Sequence, residues 1–439
     1  MKRGKSLKFI LLLCLISGVL CSCGKKSTVG LPNVGILTRE EEDVQVSNKS
    51  GLKHATVVTL KPAAGYEALK ISEESGNREA PKLDDLLKEK KAAGLTDAAI
   101  KRCMAEQKGR YMYDMLDDTL HTLYAEILLI IKNHEEDILV TASGEDDLQT
   151  AFMCVFQDHP ELFWIEGYSY SRYSRNGKAS SYTFSGKYSY TEDECAQKQK
   201  KVDSWVRHCV NGMPIGADDY EKVKYIYKYI IVNTDYVLGS PDNQNILSVM
   251  LNGKSVCQGY AKAMQYLLND VGIPCTMVVG KVNGGEGHAW NLIYIDDAYY
   301  YVDATWGDSG YLTASGADVN HMGEVNYNYL NVTSDELSRS HVADNVMPMP
   351  RCVATEDNYY VREGKFFDST DTYKLEKLFE DAMLKGEKYV SFKCADIAVY
   401  EEFKHSLLEE RRIFSVLPEG VNSADYTVSD DLKVLSFWF

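Results

Sequence analysis

Apolar side chains recur every three to four positions from Tyr111 to Ile131, a spacing that predicts a helix, and Ile138-Leu139-Val140 follows as a short strand. The same alternation continues downstream. Leu148 to Phe156 predicts a helix, Leu162 to Ile165 a strand, and Tyr168 to Tyr173 against Tyr182 to Tyr190 a hairpin that turns at Asn176-Gly177. Small polar residues interleave these tyrosines, so several share one sheet face, where packing against helices is expected over a binding platform. Two helices come next. The first, Thr191 to Val210, opens on a capping box of Thr191 and Glu194, and the second, Asp218 to Val232, carries Val223, Ile226, Tyr227 and Ile230 on a core-facing stripe.

From about residue 350 the pattern predicts a strand at Tyr359 to Arg362, a helix through Leu375 to Met383, a strand at Val390 to Phe392 and a helix through Val399 to Leu408. Pro348-Met349-Pro350 interrupts both helix and sheet and marks a boundary before this module. Residues 24–50 are polar, with the acidic run Glu40-Glu41-Glu42-Asp43, and predict a flexible tether. The chain thus divides into a leader at 1–23, a tether at 24–50, an N-terminal α+β domain at 51–210, a domain bearing the chemistry at 211–348 and a small α/β module at 349–439.

The leader has the form of a targeting signal: Lys2, Arg3, Lys5 and Lys8 precede the apolar stretch Phe9 to Leu20, which is short for a membrane span. Its end, Leu20-Cys21-Ser22-Cys23-Gly24, resembles a bacterial lipobox, with an apolar residue three before Cys23 and a small one directly before it. Cys21 fits poorly, because Leu20 would fill the small-residue place. The resemblance implies that Cys23 is diacylated, becomes the first residue of the mature chain and anchors it at the bacterial cell surface, on the outer face of the membrane.

Charge narrows the partners. The 439 residues carry a formal net charge of −16 without a basic patch beyond the extreme N-terminus, which argues against nucleic acid. After the leader the cysteines Cys103, Cys154, Cys195, Cys209, Cys257, Cys275, Cys352 and Cys394 form no CxxC pair, so zinc and iron–sulfur sites are not expected. No acidic loop has an EF-hand pattern, and no cofactor is expected. The spacing assigns no disulfide.

The chemistry begins at Gly253-Lys-Ser-Val-Cys257-Gln-Gly-Tyr260. Asn252 and Gly253 permit a turn, after which Tyr260, Ala263, Met264, Leu267, Leu268 and Val271 repeat with helical period until Gly272. Cys257 therefore opens a helix, where free N–H groups and the positive end of the dipole stabilise a thiolate. His288 begins one predicted strand and Tyr299 to Trp306 forms the next, joined by Asp296-Asp297. With a two-residue turn the paired positions sum to 593 (295 + 298), so Asp303 lies diagonal to His288 on one face. The carboxylate then takes one ring N–H and leaves the other nitrogen for Cys257.

These residues, Gly253-x3-Cys257-x-Gly259-Tyr260, His288-Ala289-Trp290-Asn291 and Tyr301-Val302-Asp303-x-Thr305-Trp306, resemble the transglutaminase-like superfamily over about residues 215 to 335. The resemblance implies an α+β, papain-like core in which a helix bearing the cysteine packs on an antiparallel sheet. It also implies a Cys257–His288–Asp303 triad acting on amide bonds, the bacterial members being described as peptidases or amide-acting acyltransferases. The expected activity is that of a peptidase or amidohydrolase on protein or peptide substrates, cell-wall peptides among them. The alternatives are glutamine acyl transfer that cross-links proteins, or a non-catalytic surface binding protein. Trp290 and Trp306 are expected as pocket walls, and Gln244, Asn245 and Tyr236 as candidates for the second oxyanion donor. Cys275 reads as core, and His321 and His341 as surface histidines in loops.

Overall fold

The apolar periodicity resolves into three buried clusters in a computed structural model, which describes residues 33–38, 55–59, 69–73, 81–175, 178–282, 285–308, 310–311 and 325–439. The leader with Cys23, the Asn176-Gly177 turn and His321 lie outside the described residues. Two strands open the described chain, β1 (Asn33–Thr38) and β2 (Ala55–Thr59). The first falls inside the segment read as a tether, and its backbone pairs antiparallel with the strand Ser423–Ser429 near the C-terminus.

The N-terminal cluster combines β3 (Lys70–Glu73), α1 (Leu83–Ala92), α2 (Asp97–Gln107), α3 (Tyr111–Asp114), α4 (Asp118–Lys132), β4 (Ile138–Val140), α5 (Glu145–Asp158), β5 (Ile165–Arg175) and β6 (Lys178–Tyr188). Its sheet runs β3-β5-β6-β4. The single helix expected from Tyr111 to Ile131 is two, because Asp117 turns its carboxylate onto the N–H groups of Thr119 and Leu120, each at 3.0 Å, and starts α4 afresh. Tyr168, Tyr170 and Tyr182 are buried, with Tyr168 stacked between Phe152 and Phe184 at 4.6 and 5.0 Å between ring centroids, so the tyrosines face the core.

The second cluster holds the sequence motif. Its helices begin with α6 (Glu192–Asn211), whose capping box of Thr191 and Glu194 is formed, and α7 (Asp219–Val232). The chain continues through β7 (Asp235–Tyr236), α8 (Ile246–Met250), β8 (Lys254–Ser255), α9 (Cys257–Asp270), β9 (Cys275–Val282), β10 (Gly287–Ile295) and β11 (Ala298–Val302). Then come α10 (Ala304–Gly307), β12 (Gly310–Tyr311), α11 (Ser334–Leu337) and β13 (His341–Ala343). The antiparallel sheet β11-β10-β9-β13 carries α9 on one face. Asn291 on β10 donates to the Ala261 carbonyl at 2.9 Å, and Met264, Leu267 and Leu268 are fully buried beneath the helix.

The β10–β11 hairpin has the expected register, Asn291 opposite Val302 and Ile295 opposite Ala298. Asp296 and Asp297 both adopt positive φ, 45° and 60°, the left-handed pair that a two-residue turn needs to match the twist of its strands.

α12 (Tyr359–Arg362) still packs into the second cluster through Tyr359 and Tyr360, and the third contains β14 (Phe366–Phe367), α13 (Thr372–Leu384), β15 (Tyr389–Cys394), α14 (Ile397–Lys404), α15 (Ile413–Val416), β16 (Ser423–Ser429) and β17 (Val434–Trp438). Tyr359–Arg362, expected as a strand, is a helical turn instead. Asn358 accepts the Tyr360 N–H at 3.1 Å, and such a cap fixes a helix start over a run too short to declare its period. The sheet of this region runs β12-β2-β1-β16-β17-β15-β14. The cysteines from Cys103 to Cys394 are buried and unbridged, and among the described residues no helix is long and apolar enough to cross a membrane.

Candidate active site

Cys257 is the first residue of α9, which begins after the extended residue Val256. The backbone reaches this point because Gly259 has no side chain: a Cβ there would stand 2.0 Å from Ser255 Oγ, 2.6 Å from Ser248 Oγ and 2.9 Å from the Asn243 carbonyl. Those two serine hydroxyls lie 2.6 Å apart and brace β8 against α8 directly under the first turn. Tyr260 continues the anchorage, its hydroxyl 2.6 Å from the Asp308 carboxylate and 2.8 Å from the Thr234 carbonyl. The glycine and the tyrosine of the motif thus fix where the helix starts.

The strand β10 delivers His288 to the sulfur. Its Nε2 donates to Asp303 Oδ2 at 2.7 Å, and the ring interacts with the Cys257 side chain, which leaves Nδ1 as the nitrogen turned to the thiol. Cys257, His288 and Asp303 are each 0% exposed. Burial alone would strip the proton from the imidazole, but the Asp303 carboxylate and the Cys257 thiolate outweigh it and hold the ring's pKa above its usual range. Asp303 moves the opposite way. Burial penalises its charge, yet the two imidazoles that hydrogen-bond it keep its carboxyl well below the ordinary carboxylate range.

Asp303 arrives by a route the alternation did not show. Strand β11 ends at Val302, and Asp303 caps α10, its Oδ1 accepting the N–H groups of Thr305 at 2.9 Å and Trp306 at 3.1 Å. Ala304 to Trp306 are therefore helical, not strand, and Thr305 does not pair with His288. The cap overrides the alternation because a short oxygen side chain satisfies two otherwise orphaned donors. Gly307 completes the turn where a Cβ would meet the Tyr227 hydroxyl at 2.1 Å, and that hydroxyl lies 2.8 Å from the Asn326 carbonyl.

The remaining candidates separate. Trp290 stacks beside His288 at 5.9 Å between centroids and Trp306 lies at 6.1 Å, so both wall the site. The Tyr236 hydroxyl accepts the backbone N–H of Cys257, and burial together with the Cys257 and Asp303 charges keeps the phenol protonated. Gln244 and Asn245 each make other hydrogen bonds. Gln244 donates from its side chain to Asn243 and receives Gln258 Nε2 on its carbonyl at 3.0 Å, while Asn245 caps α8 through the Leu247 N–H at 2.9 Å. Cys275 is core, its thiol pushed up by burial.

His341 is the residue that sequence reasoning misplaced. It is not a surface histidine: it lies on β13, 3% exposed, with Nε2 3.0 Å from Asp303 Oδ2 and Nδ1 2.8 Å from Ser340 Oγ. A three-residue strand carries no periodic signal, so nothing in the pattern distinguished it. His288, Asp303 and His341 are also the three groups among the described residues placed closely enough to ligate a metal ion. Both Nε2 atoms direct their hydrogens at Asp303, however, so a cation there would first have to expel two protons.

Residues 208–304 match the transglutaminase-like superfamily, and the chain carries a domain of that superfamily with its mixed α+β fold. Kyphoscoliosis peptidase of Mus musculus is 27% identical over 131 residues, 26% of this chain and 20% of its own length. The Homo sapiens protein of the same name is 27% identical over 105 residues, 20% of this chain and 16% of its own. The chain spans at most about a fifth of either relative. A crystal structure of a TGase aligns at 13% identity over 32% of this chain and 50% of its own, with a TM-score of 0.24.

Proposed function

We propose that this chain is an extracytoplasmic thiol enzyme that opens amide bonds of proteins or peptides through Cys257, His288 and Asp303. The observation that carries the reading is the division of labour on one ring: His288 Nε2 is committed to Asp303 and Nδ1 is turned to Cys257. Nδ1 takes the thiol proton, and the sulfur attacks the carbonyl carbon. The developing oxyanion takes the Cys257 N–H from the Tyr236 hydroxyl, which as a protonated phenol is able to donate to it as well. The imidazolium then returns its proton to the departing nitrogen as the C–N bond breaks. A water, deprotonated by Nδ1, cleaves the thioester and restores the thiol.

Hydrolysis is the favoured outcome because water outnumbers amines outside the cell, and the two matched relatives bear the name peptidase. Peptide crosslinks of the cell wall fall within the substrate class. The test is incubation of the purified ectodomain with a glutamine-bearing protein and a dansylated amine, with products followed by mass spectrometry. New termini or deamidated glutamine that vanish in Cys257→Ser support hydrolysis; dansyl incorporation identifies a transferase. A wild type indistinguishable from Cys257→Ser leaves a surface binding protein.

The lipobox-like Leu20 to Cys23 supports attachment through a diacylated Cys23 to the outer face of a bacterial membrane. Cells fed radiolabelled fatty acid are expected to label the full chain and not Cys23→Ala; label retained in the variant rejects the anchor.

A further inference from the structure

Asp303 sits in a setting that a two-partner acid does not require. A buried carboxylate is costly unless its lone pairs are satisfied, and this one accepts four N–H groups: Thr305 and Trp306 on Oδ1, His288 and His341 on Oδ2. The first three come from the hairpin and the turn directly after it. The fourth comes from a separate edge strand, β13, whose antiparallel partner β9 holds Gly280 opposite both His288 and Ala343. A Cβ on Gly280 would lie 2.1 Å from the Val342 carbonyl and 2.7 Å from the Trp290 ring, so the bare backbone there is what lets β13 close against the site.

The ring of His341 is held on all sides. Trp306, Trp290 and Tyr329 pack around it at centroid distances of 4.6, 5.0 and 5.7 Å. Ionised Asp303 can only accept, which assigns a ring hydrogen to Nε2, the atom facing it, while Ser340 Oγ stands 2.8 Å from Nδ1. The titratable groups that meet this ring are Asp303, His288 and the Tyr329 phenol, which burial keeps protonated. Burial and the positive charge on His288 both work against a second imidazolium.

We infer that His341 is a positioning residue of the Cys257 site: its Nε2–H pins Asp303 Oδ2 so that the other lone pair of the same oxygen points at His288. With a single imidazole partner the carboxylate, held on Oδ1 by the Thr305 and Trp306 N–H groups, can still swing Oδ2 and carry His288 with it. Two imidazoles on one oxygen, with two backbone donors on the other, admit one orientation. This inference rests on the thiol-enzyme reading for its functional meaning and on the four contacts for its geometry.

The test compares wild type with His341→Ala, His341→Phe and His341→Gln, each checked for an unchanged thermal melt. Loss of the donor is expected to lower kcat between about 10- and 100-fold with KM changed less than about 2-fold, since His341 does not touch substrate. Gln, whose amide N–H reaches the place of Nε2, is expected to restore kcat to within about 3-fold of wild type, the shortfall of an imperfect hydrogen bond. A Phe variant with wild-type kcat overturns the inference, as does a Gln variant no better than Ala. A wild type without Cys257-dependent turnover strikes the enzyme reading instead. The positioning claim is then judged by NMR of histidine-labelled protein, where His341→Phe must shift the His288 Nε2–H resonance; an unmoved resonance rejects it.

Discussion

Asp303→Asn is expected to reduce amide turnover by about four orders of magnitude, the scale at which a triad fails when its imidazole is held in the wrong tautomer. The cause is specific to the four donors around this side chain. If the new amide nitrogen faces the imidazoles, it meets two N–H groups, and His288 relieves the clash by moving its hydrogen to Nδ1, where it no longer accepts the Cys257 proton. If the nitrogen faces the other way, it opposes the Thr305 and Trp306 N–H groups and uncaps α10. Neither flip spares the site. The pH profile of kcat/KM provides the check. In wild type the carboxylate raises the His288 pKa, so the imidazolium persists as pH rises and the alkaline limb lies above the usual histidine range. Without that charge burial dominates, the pKa falls, and the alkaline limb moves to lower pH. An Asn variant with an unmoved limb would separate His288 from Asp303 in function.

Gly259→Ala is the second large effect, and it acts through shape. The added methyl would overlap Ser255 Oγ, Ser248 Oγ and the Asn243 carbonyl, the last of which is backbone with little room to retreat. Overpacking of this kind costs about 1–3 kcal/mol, and the helix start is the part that yields. Because Cys257 is two residues away in the same turn, a displacement of about 1 Å would remove about 100-fold in rate. Chemical denaturation is expected to show a lowered midpoint, and alkylation of Cys257 by iodoacetamide to slow relative to wild type after correction for the unfolded fraction. A variant that loses stability but alkylates at the wild-type rate would show that the sulfur does not depend on this contact.

How much of the site was legible varies with the range of the interaction. The Cys257 helix start, the β10–β11 register and the nearness of His288 to Asp303 follow from local pattern, because a turn of two aspartates and strict alternation leave one pairing that keeps the apolar face inward. The manner of arrival was not legible: Asp303 caps a helix, and a cap competes with strand alternation through two hydrogen bonds that no periodicity registers. His341 was out of reach for a related reason. It joins the site from 38 positions beyond Asp303 on a strand of three residues, held by a glycine on the neighbouring strand rather than by any rhythm of its own. Tyr359–Arg362 failed similarly, since four residues hold just one helical turn. The oxyanion candidates show the opposite case. Tyr236, Gln244 and Asn245 were equivalent as residues in a loop, and only the placement of β7 beside β8 sets the phenol at the Cys257 N–H.

The complete enclosure of the sulfur has a bearing on survival as well as on chemistry. A thiolate in an oxidising milieu is ordinarily lost to peroxide, passing through sulfenic to irreversible acids. Here no atom of Cys257 meets solvent, and the phenol of Tyr236 lies across its amide. Peroxide reaches such a sulfur only when the side chains around it part, so this enclosure would slow its oxidation.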